Sequence, residues 1–128
     1  MTGSHEVEIR WADLDGFGHV SHRAYLEFLE EARNAVLDGL IGADRRRTFA
    51  LRHLTIDYIA QLTQRGDDRV RVTVRITAVD GDSVTTEEAA ASAGDGRIAA
   101  RAEAELQSDD AAALAALRGL LEAPAQQG

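Results

Sequence analysis

Hydrophobic and polar positions repeat with two different periods along this chain, and the points where the period changes mark its elements. In residues 5–11, Val7, Ile9 and Trp11 share one parity among polar neighbours, the two-residue period of a short strand. The segment ADLDGFGHVS, residues 12–21, loses that pattern. It gathers aspartates and glycines instead, and reads as a structured loop ending in Ser21, a good helix N-cap residue. From His22 to Ile41 the period lengthens. Tyr25, Phe28, Leu29, Ala32, Val36 and Leu40 fall on one helical face, while Glu27, Glu30, Glu31, Asn34 and Asp38 occupy the other side. Gly42 supplies a stop.

Beyond the loop GADRRRTFA, residues 42–50, the period returns to two. Residues 49–62 form a strand rich in branched side chains, and in 69–79 Val70, Val72, Val74 and Ile76 alternate with Arg69, Arg71, Thr73 and Arg75. Asp80-Gly81 is a hairpin signal. Residues 83–93 contain TTEEAAASA, which is helical by composition. Asp-Gly pairs at 80–81 and 95–96 bracket the segment, so a strand is expected there. In 97–107, Ile98, Ala100, Ala102, Ala104 and Leu106 oppose Arg97, Arg101, Glu103 and Glu105, which completes a three-strand antiparallel meander. Asp109–Glu122 predicts a short helix, and residues 124–128, PAQQG, a frayed end. The order is strand, long helix, four strands, short helix. A lone helix with a wide apolar face needs a sheet curved around it, so the expected fold is α+β in two layers, one domain over residues 1–128.

Composition narrows the function. With 128 residues and 45% hydrophobic content the chain can build one real core. It has no cysteine, which removes disulfides, thiolate metal ligands and a cysteine nucleophile. A net charge of -8 argues against nucleic acid or an anionic membrane as partner, and no apolar run or leader-like start points away from the cytoplasm. No histidine pair stands at ligand spacing with a carboxylate on a shared helix, so neither a metal nor another resident cofactor is expected.

Candidate chemistry concentrates in RWADLDGFGHVSHRAYLEFLEEAR, residues 10–33. Asp15 stands shortly before the long helix, so the loop can fold it back over the helix start. Unpaired N–H groups there favour an ionised carboxylate and can polarise a carbonyl. A carboxylate beside an oxyanion site is the minimum for acyl transfer. Alone, an aspartate next to glycine is as readily a turn or capping residue.

The same stretch resembles the 4-hydroxybenzoyl-CoA thioesterase family of hot-dog proteins. The resemblance rests on Asp13 and Asp15 as an Asp-x-Asp pair, Gly18, Val20, Tyr25 and the Glu-Ala-Arg at 31–33. An aromatic-containing strand ending near Tyr58, Gly-Asp at 66–67 and Asp-Gly at 95–96 add to it. It implies a hot-dog fold with a five-stranded antiparallel sheet wrapped around the long helix. It also implies hydrolysis of an acyl-CoA or acyl-carrier-protein thioester by a homodimer or homotetramer whose site forms between subunits. Coenzyme A enters only as part of the substrate. Asp15 becomes the catalytic carboxylate, as nucleophile or general base, and Asp13 a loop-stabilising residue. His22 matches a histidine used by relatives resembling the Tol–Pal-cluster acyl-CoA thioesterases, and the His22 and Arg23 amides are the oxyanion candidates. Trp11, Gly18, His19 and Tyr25 are expected beside the substrate, with His19 more a loop residue than a catalyst. Many relatives read Gly-His-Val-Asn-Asn where this chain has Ser21 and His22 in the last two places.

Two other functions fit the same pattern less well. An enoyl-CoA hydratase of this fold would place its aspartate and histidine five apart around Asn-Pro, whereas Asp15 and His19 are four apart without it. A non-catalytic acyl-binding or assembly protein would not need Asp15 at a helix start. Arg45, Arg46 and Arg47 suit coenzyme A phosphates or, more simply, a solvated loop, and the simpler reading also fits Arg65, Arg69 and Arg97.

Overall fold

The computed structural model describes residues 2–64 and 66–123, so Arg65 and the expected frayed end at 124–128 lie outside it. Five strands form one antiparallel sheet: β1 (Thr2–Glu8), β2 (Phe49–Tyr58), β3 (Arg69–Asp80), β4 (Ser83–Ser92) and β5 (Ile98–Ser108), in the spatial order β1-β3-β4-β5-β2. The expected meander is β3-β4-β5, and Gly81 closes its first turn at a positive φ of 61°, a conformation open to glycine. β2 flanks β5 and β1 flanks β3, which leaves β1 and β2 as the two edges.

Helix α1 (His22–Ile41) lies across the sheet. Its Phe28, Leu29 and Ala32 pack with Val70, Val72 and Val74 of β3 and with the small Ala90, Ala100 and Ala102 of β4 and β5. Small side chains on the facing strands leave room for the helix's large ones. This explains why the alanine-rich 83–92 segment is extended: Val84, Thr86, Glu88, Ala90 and Ser92 all point inward with strict alternation. A second cluster joins Leu37, Ile76, Val84 and Leu106 to Leu114 and Leu117 of the terminal helix α3 (Ala111–Glu122), which Asp110 caps by accepting from the amides of Ala112 and Ala113.

The structure departs from expectation in four places. β1 ends at Glu8, and Trp11 sits in a 3-10 turn, Trp11–Asp13, with 83% of its surface exposed. The alternation breaks because the Asp13 carboxylate accepts from the Arg10 amide at 2.8 Å and pulls the chain into a turn. β2 stops at Tyr58, although Leu62 beyond it is fully buried. The 42–50 loop contains a short helix α2, Ala43–Arg46, held to α1 by an Arg46–Asp38 ion pair. On α1, Val36 and Leu40 are only partly buried, and Arg33 and Leu37 take the inward positions near its middle. Arg33 is held there by Glu88 of β4 through two hydrogen bonds of 2.6 and 2.7 Å.

Candidate active site

The loop between β1 and α1 is braced from three sides. Leu14 and Val20 bridge across it, His19 bridges to Thr63, and the Val20 amide donates to the Leu62 carbonyl at 2.8 Å. Asp13 is the internal brace. Only 1% exposed, its carboxylate takes the Arg10 amide and guanidinium, and its carbonyl accepts from the Ser21 amide. Arg23 ties the same loop from the helix side by donating to the Ala12 carbonyl at 2.8 Å.

Asp15 is different in kind. Its side chain is 38% exposed. Its Oδ1 accepts from the Phe17 and His19 amides at 2.8 and 3.1 Å. Gly18, at a φ of +80°, makes the tight turn that brings those amides back. The Phe17 amide above all, and then that of His19, hold the Asp15 carboxyl below its ordinary value despite some desolvation. Oδ2 accepts no hydrogen bond among the described residues, and His19 Nδ1 lies 3.9 Å from it.

The start of α1 stands beside this carboxylate. Ser21 occupies the N-cap position, but its hydroxyl does not cap the helix. The Ala24 amide is satisfied by the Ser21 carbonyl, whereas the His22 and Arg23 amides find no acceptor among the described residues. These are the orphan donors of a helix start, available to an oxyanion.

Asp15 forms part of the wall of two hollows. The smaller, about 180 Å³, is lined by Asp15, His19, Val20, His22, Tyr25, Tyr58, Ala60 and Gln61. The larger, about 680 Å³, is lined by Trp11, Ala12, Leu14, Asp15, Gly16, Gly18 and Arg23. The fold thus brings His19, His22 and Tyr25 together on one side of Asp15, and Trp11, Gly18 and Arg23 on the other. The His22 ring meets Tyr58 edge-on, and the Tyr58 hydroxyl donates to the His22 carbonyl at 3.1 Å. Tyr25 is 3% exposed and packs edge-on against Phe28 and Tyr58.

Sequence reasoning missed Tyr58 and Gln61 as wall residues and Phe17 as a second exposed aromatic, 86% accessible at the loop tip. An aromatic at the end of a mainly aliphatic strand was the one signal for Tyr58, and Gln61 carried none. Of the arginine run, Arg46 and Arg47 are engaged with Asp38 and Asp44. Among the described residues, no three histidine, aspartate or glutamate side chains gather in a group able to hold a metal ion, and no helix is long and apolar enough to cross a membrane.

Comparison with known proteins places this geometry. No curated protein sequence matches the chain significantly. Among solved structures, it is similar to a thioesterase from Thermus thermophilus complexed with coenzyme A and zinc, at 24% identity over 95% of this chain and 96% of that one, with a TM-score of 0.79. It is similar to a 1,4-dihydroxy-2-naphthoyl-CoA thioesterase from Synechocystis at 26% identity over 84% and 81% of the two chains, TM-score 0.71. A 4-hydroxybenzoyl-CoA thioesterase mutant complexed with 4-hydroxybenzoyl-CoA shares the fold at 14% identity over 84% and 83%, TM-score 0.74. The fold is therefore the hot-dog fold. The family model for the thioesterase-like superfamily matches residues 9–115, from the end of β1 into α3, and the chain belongs to that superfamily.

Proposed function

We propose that this enzyme hydrolyses an acyl-CoA thioester across the wall formed by Asp15. Thioester hydrolysis is the activity of its superfamily; the proposal concerns how this chain performs it. The observation that carries the reading is an exposed carboxylate, kept ionised by two backbone amides, beside an uncapped helix start. The thioester carbonyl oxygen sits against the His22 and Arg23 amides, where the helix dipole favours developing negative charge. Asp15 Oδ2 attacks the carbonyl carbon or takes the proton of an attacking water. The C–S bond then breaks and the electron pair leaves on sulfur. A thiolate is a good leaving group, so the site needs no strong acid, and none stands there. The acyl group occupies the smaller hollow, with the His22 ring over it, and the pantetheine arm follows the larger one past Trp11, Gly18 and Arg23.

The relatives described with coenzyme A or CoA thioesters favour that thiol over an acyl carrier protein. The working species is a homodimer or homotetramer, and the cytoplasm, where CoA thioesters are made, is its place. A thiol-release screen over short, long, branched and aryl acyl-CoAs, with matched acyl-carrier-protein thioesters, tests the reading. Rapid release from at least one acyl-CoA is expected. Release from none, or release that survives Asp15→Asn, overturns it.

A further inference from the structure

The Tyr25 hydroxyl is buried and has no hydrogen-bond partner among the described residues. It is the one such side-chain atom there, in a chain that otherwise satisfies its buried polar groups. Leaving a hydroxyl dry costs about 1–3 kcal/mol, and the ring could pack as well without it. Tyr25 follows His22 by three residues, one turn along the same face of α1. Helical side chains lean toward the helix N-terminus, so this ring runs beneath the proposed oxyanion site and helps line the smaller hollow.

The groups around the hydroxyl decide what it can do. Burial pushes Tyr25 above its ordinary pKa, with the Leu62 amide opposing and Asp67, Tyr58 and Arg97 close enough to contribute. The group is therefore a neutral donor at physiological pH. Asp67 is not its acceptor, because its carboxylate is already taken by Ser92 at 2.6 Å, Arg97 at 2.9 Å and the Thr63 amide at 3.3 Å. The Tyr58 hydroxyl is committed to the His22 carbonyl. What remains for the O–H of Tyr25 is an acceptor brought into the hollow.

We infer that Tyr25 is a specificity-determining residue whose hydroxyl donates a hydrogen bond to an oxygen substituent on the acyl group, so that the enzyme selects hydroxy- or oxo-acyl thioesters over their unsubstituted counterparts. This rests on the acyl group occupying the smaller hollow, as proposed above. A site built to bond a substrate oxygen discriminates strongly against an analogue lacking it, because the buried donor is then left unpaired.

The test uses matched pairs, 3-hydroxybutyryl-CoA with butyryl-CoA and 4-hydroxybenzoyl-CoA with benzoyl-CoA. The full chain and Tyr25→Phe are compared by kcat/KM. Binding of the corresponding ketone analogues, with CH2 in place of sulfur, is measured in parallel. In at least one pair the wild type should favour the oxygenated member by roughly ten- to a hundred-fold. Tyr25→Phe should bring that ratio near one by weakening the oxygenated member, in binding as well as turnover, while its melting temperature stays the same or rises. Equal losses for both members of each pair, or no wild-type preference in either, overturn the inference. So does a lower melting temperature with discrimination intact, which would assign the hydroxyl to a structural water. The binding arm separates this inference from the catalytic one: analogue discrimination without any hydrolysis would sink the thioesterase mechanism and leave the Tyr25 assignment standing.

Discussion

Two aspartates two positions apart show how residue chemistry depends on what the backbone does around it. Asp13 spends both oxygens on Arg10, whereas Asp15 spends one on the Phe17 and His19 amides and keeps the other free. Asp15→Asn preserves size and an oxygen able to accept from those amides, so folding and analogue binding should survive. Turnover should fall by roughly 10²–10⁴, the usual range for a lost catalytic base. A variant that binds and still turns over at the wild-type rate would remove Asp15 from the chemistry. His22→Ala should cost less than Asp15→Ala, because the helix-start amide remains when the ring is gone. Equal losses would make the imidazole a full participant. The pH profile has a definite sign. The Phe17 amide, with that of His19, depresses the Asp15 pKa, so the active anion persists as pH falls through the ordinary carboxylate range. The acid limb of kcat/KM should therefore lie below about pH 4. The same shift favours the fold above the unfolded-state pKa, an effect lost only as pH falls through the lower folded value. An acid limb near pH 6–7 would point to a histidine instead. The Asp-x-Asp pair and the helix-start histidine were legible because they sit in one continuous stretch. Tyr58 and Gln61 were not, since only the folded sheet carries the end of β2 to them.

At the scale of elements, periodicity outranked composition. The TTEEAAASA segment has the residues of a helix and the alternation of a strand, and the strand won because its inward alanines are what α1 packs against. What alternation did not reveal is that Glu88, one of those inward positions, pairs with Arg33. The Arg33 and Glu88 side chains are 6% and 0% exposed, and Thr86 donates a third hydrogen bond to the carboxylate at 2.8 Å. The Glu-Ala-Arg of α1 thus includes a cross-layer tie that sets the helix's rotation over β4. This explains why Arg33, and not another apolar residue, faces inward near the helix middle. Breaking such a pair strands a buried charge, so Glu88→Ala should lower the unfolding free energy by about 3–5 kcal/mol. Replacing both partners, Arg33→Met with Glu88→Leu, should recover most of that loss, since the desolvation of two charges disappears along with their attraction. Urea unfolding of the two variants checks it. A Glu88→Ala loss below about 1 kcal/mol would mean the guanidinium finds water, and that the tie does not orient the helix.

The whole molecule has two sheet edges, and they are not alike. Along β1, Glu6 is bound to Arg69 and Arg71 of the neighbouring strand, so this edge carries ion pairs. The β2 edge is apolar where it matters: Leu51 and Tyr58 are 47% and 48% exposed, Ile59 just beyond is 55% exposed, and Leu26 of α1 is 44% exposed. Unpaired strand edges with exposed apolar side chains seek a partner. Pairing along β2 would also wall the smaller hollow, because Tyr58, Ala60 and Gln61 lie at that end of the strand. The proposed dimer and the proposed site are therefore one feature, and disrupting the first should impair the second. Sedimentation at low micromolar concentration should show at least twice the 13.8 kDa chain mass. Leu51→Lys with Ile59→Lys places two like charges on the contact from positions that a single subunit leaves half open to water. The double variant should stay folded by circular dichroism, sediment as a monomer and lose most of its turnover, with the loss appearing in kcat and KM together. If the wild type is a stable monomer with full activity, or if the double variant becomes monomeric and keeps that activity, each subunit carries a complete site and the apolar edge belongs to some other contact.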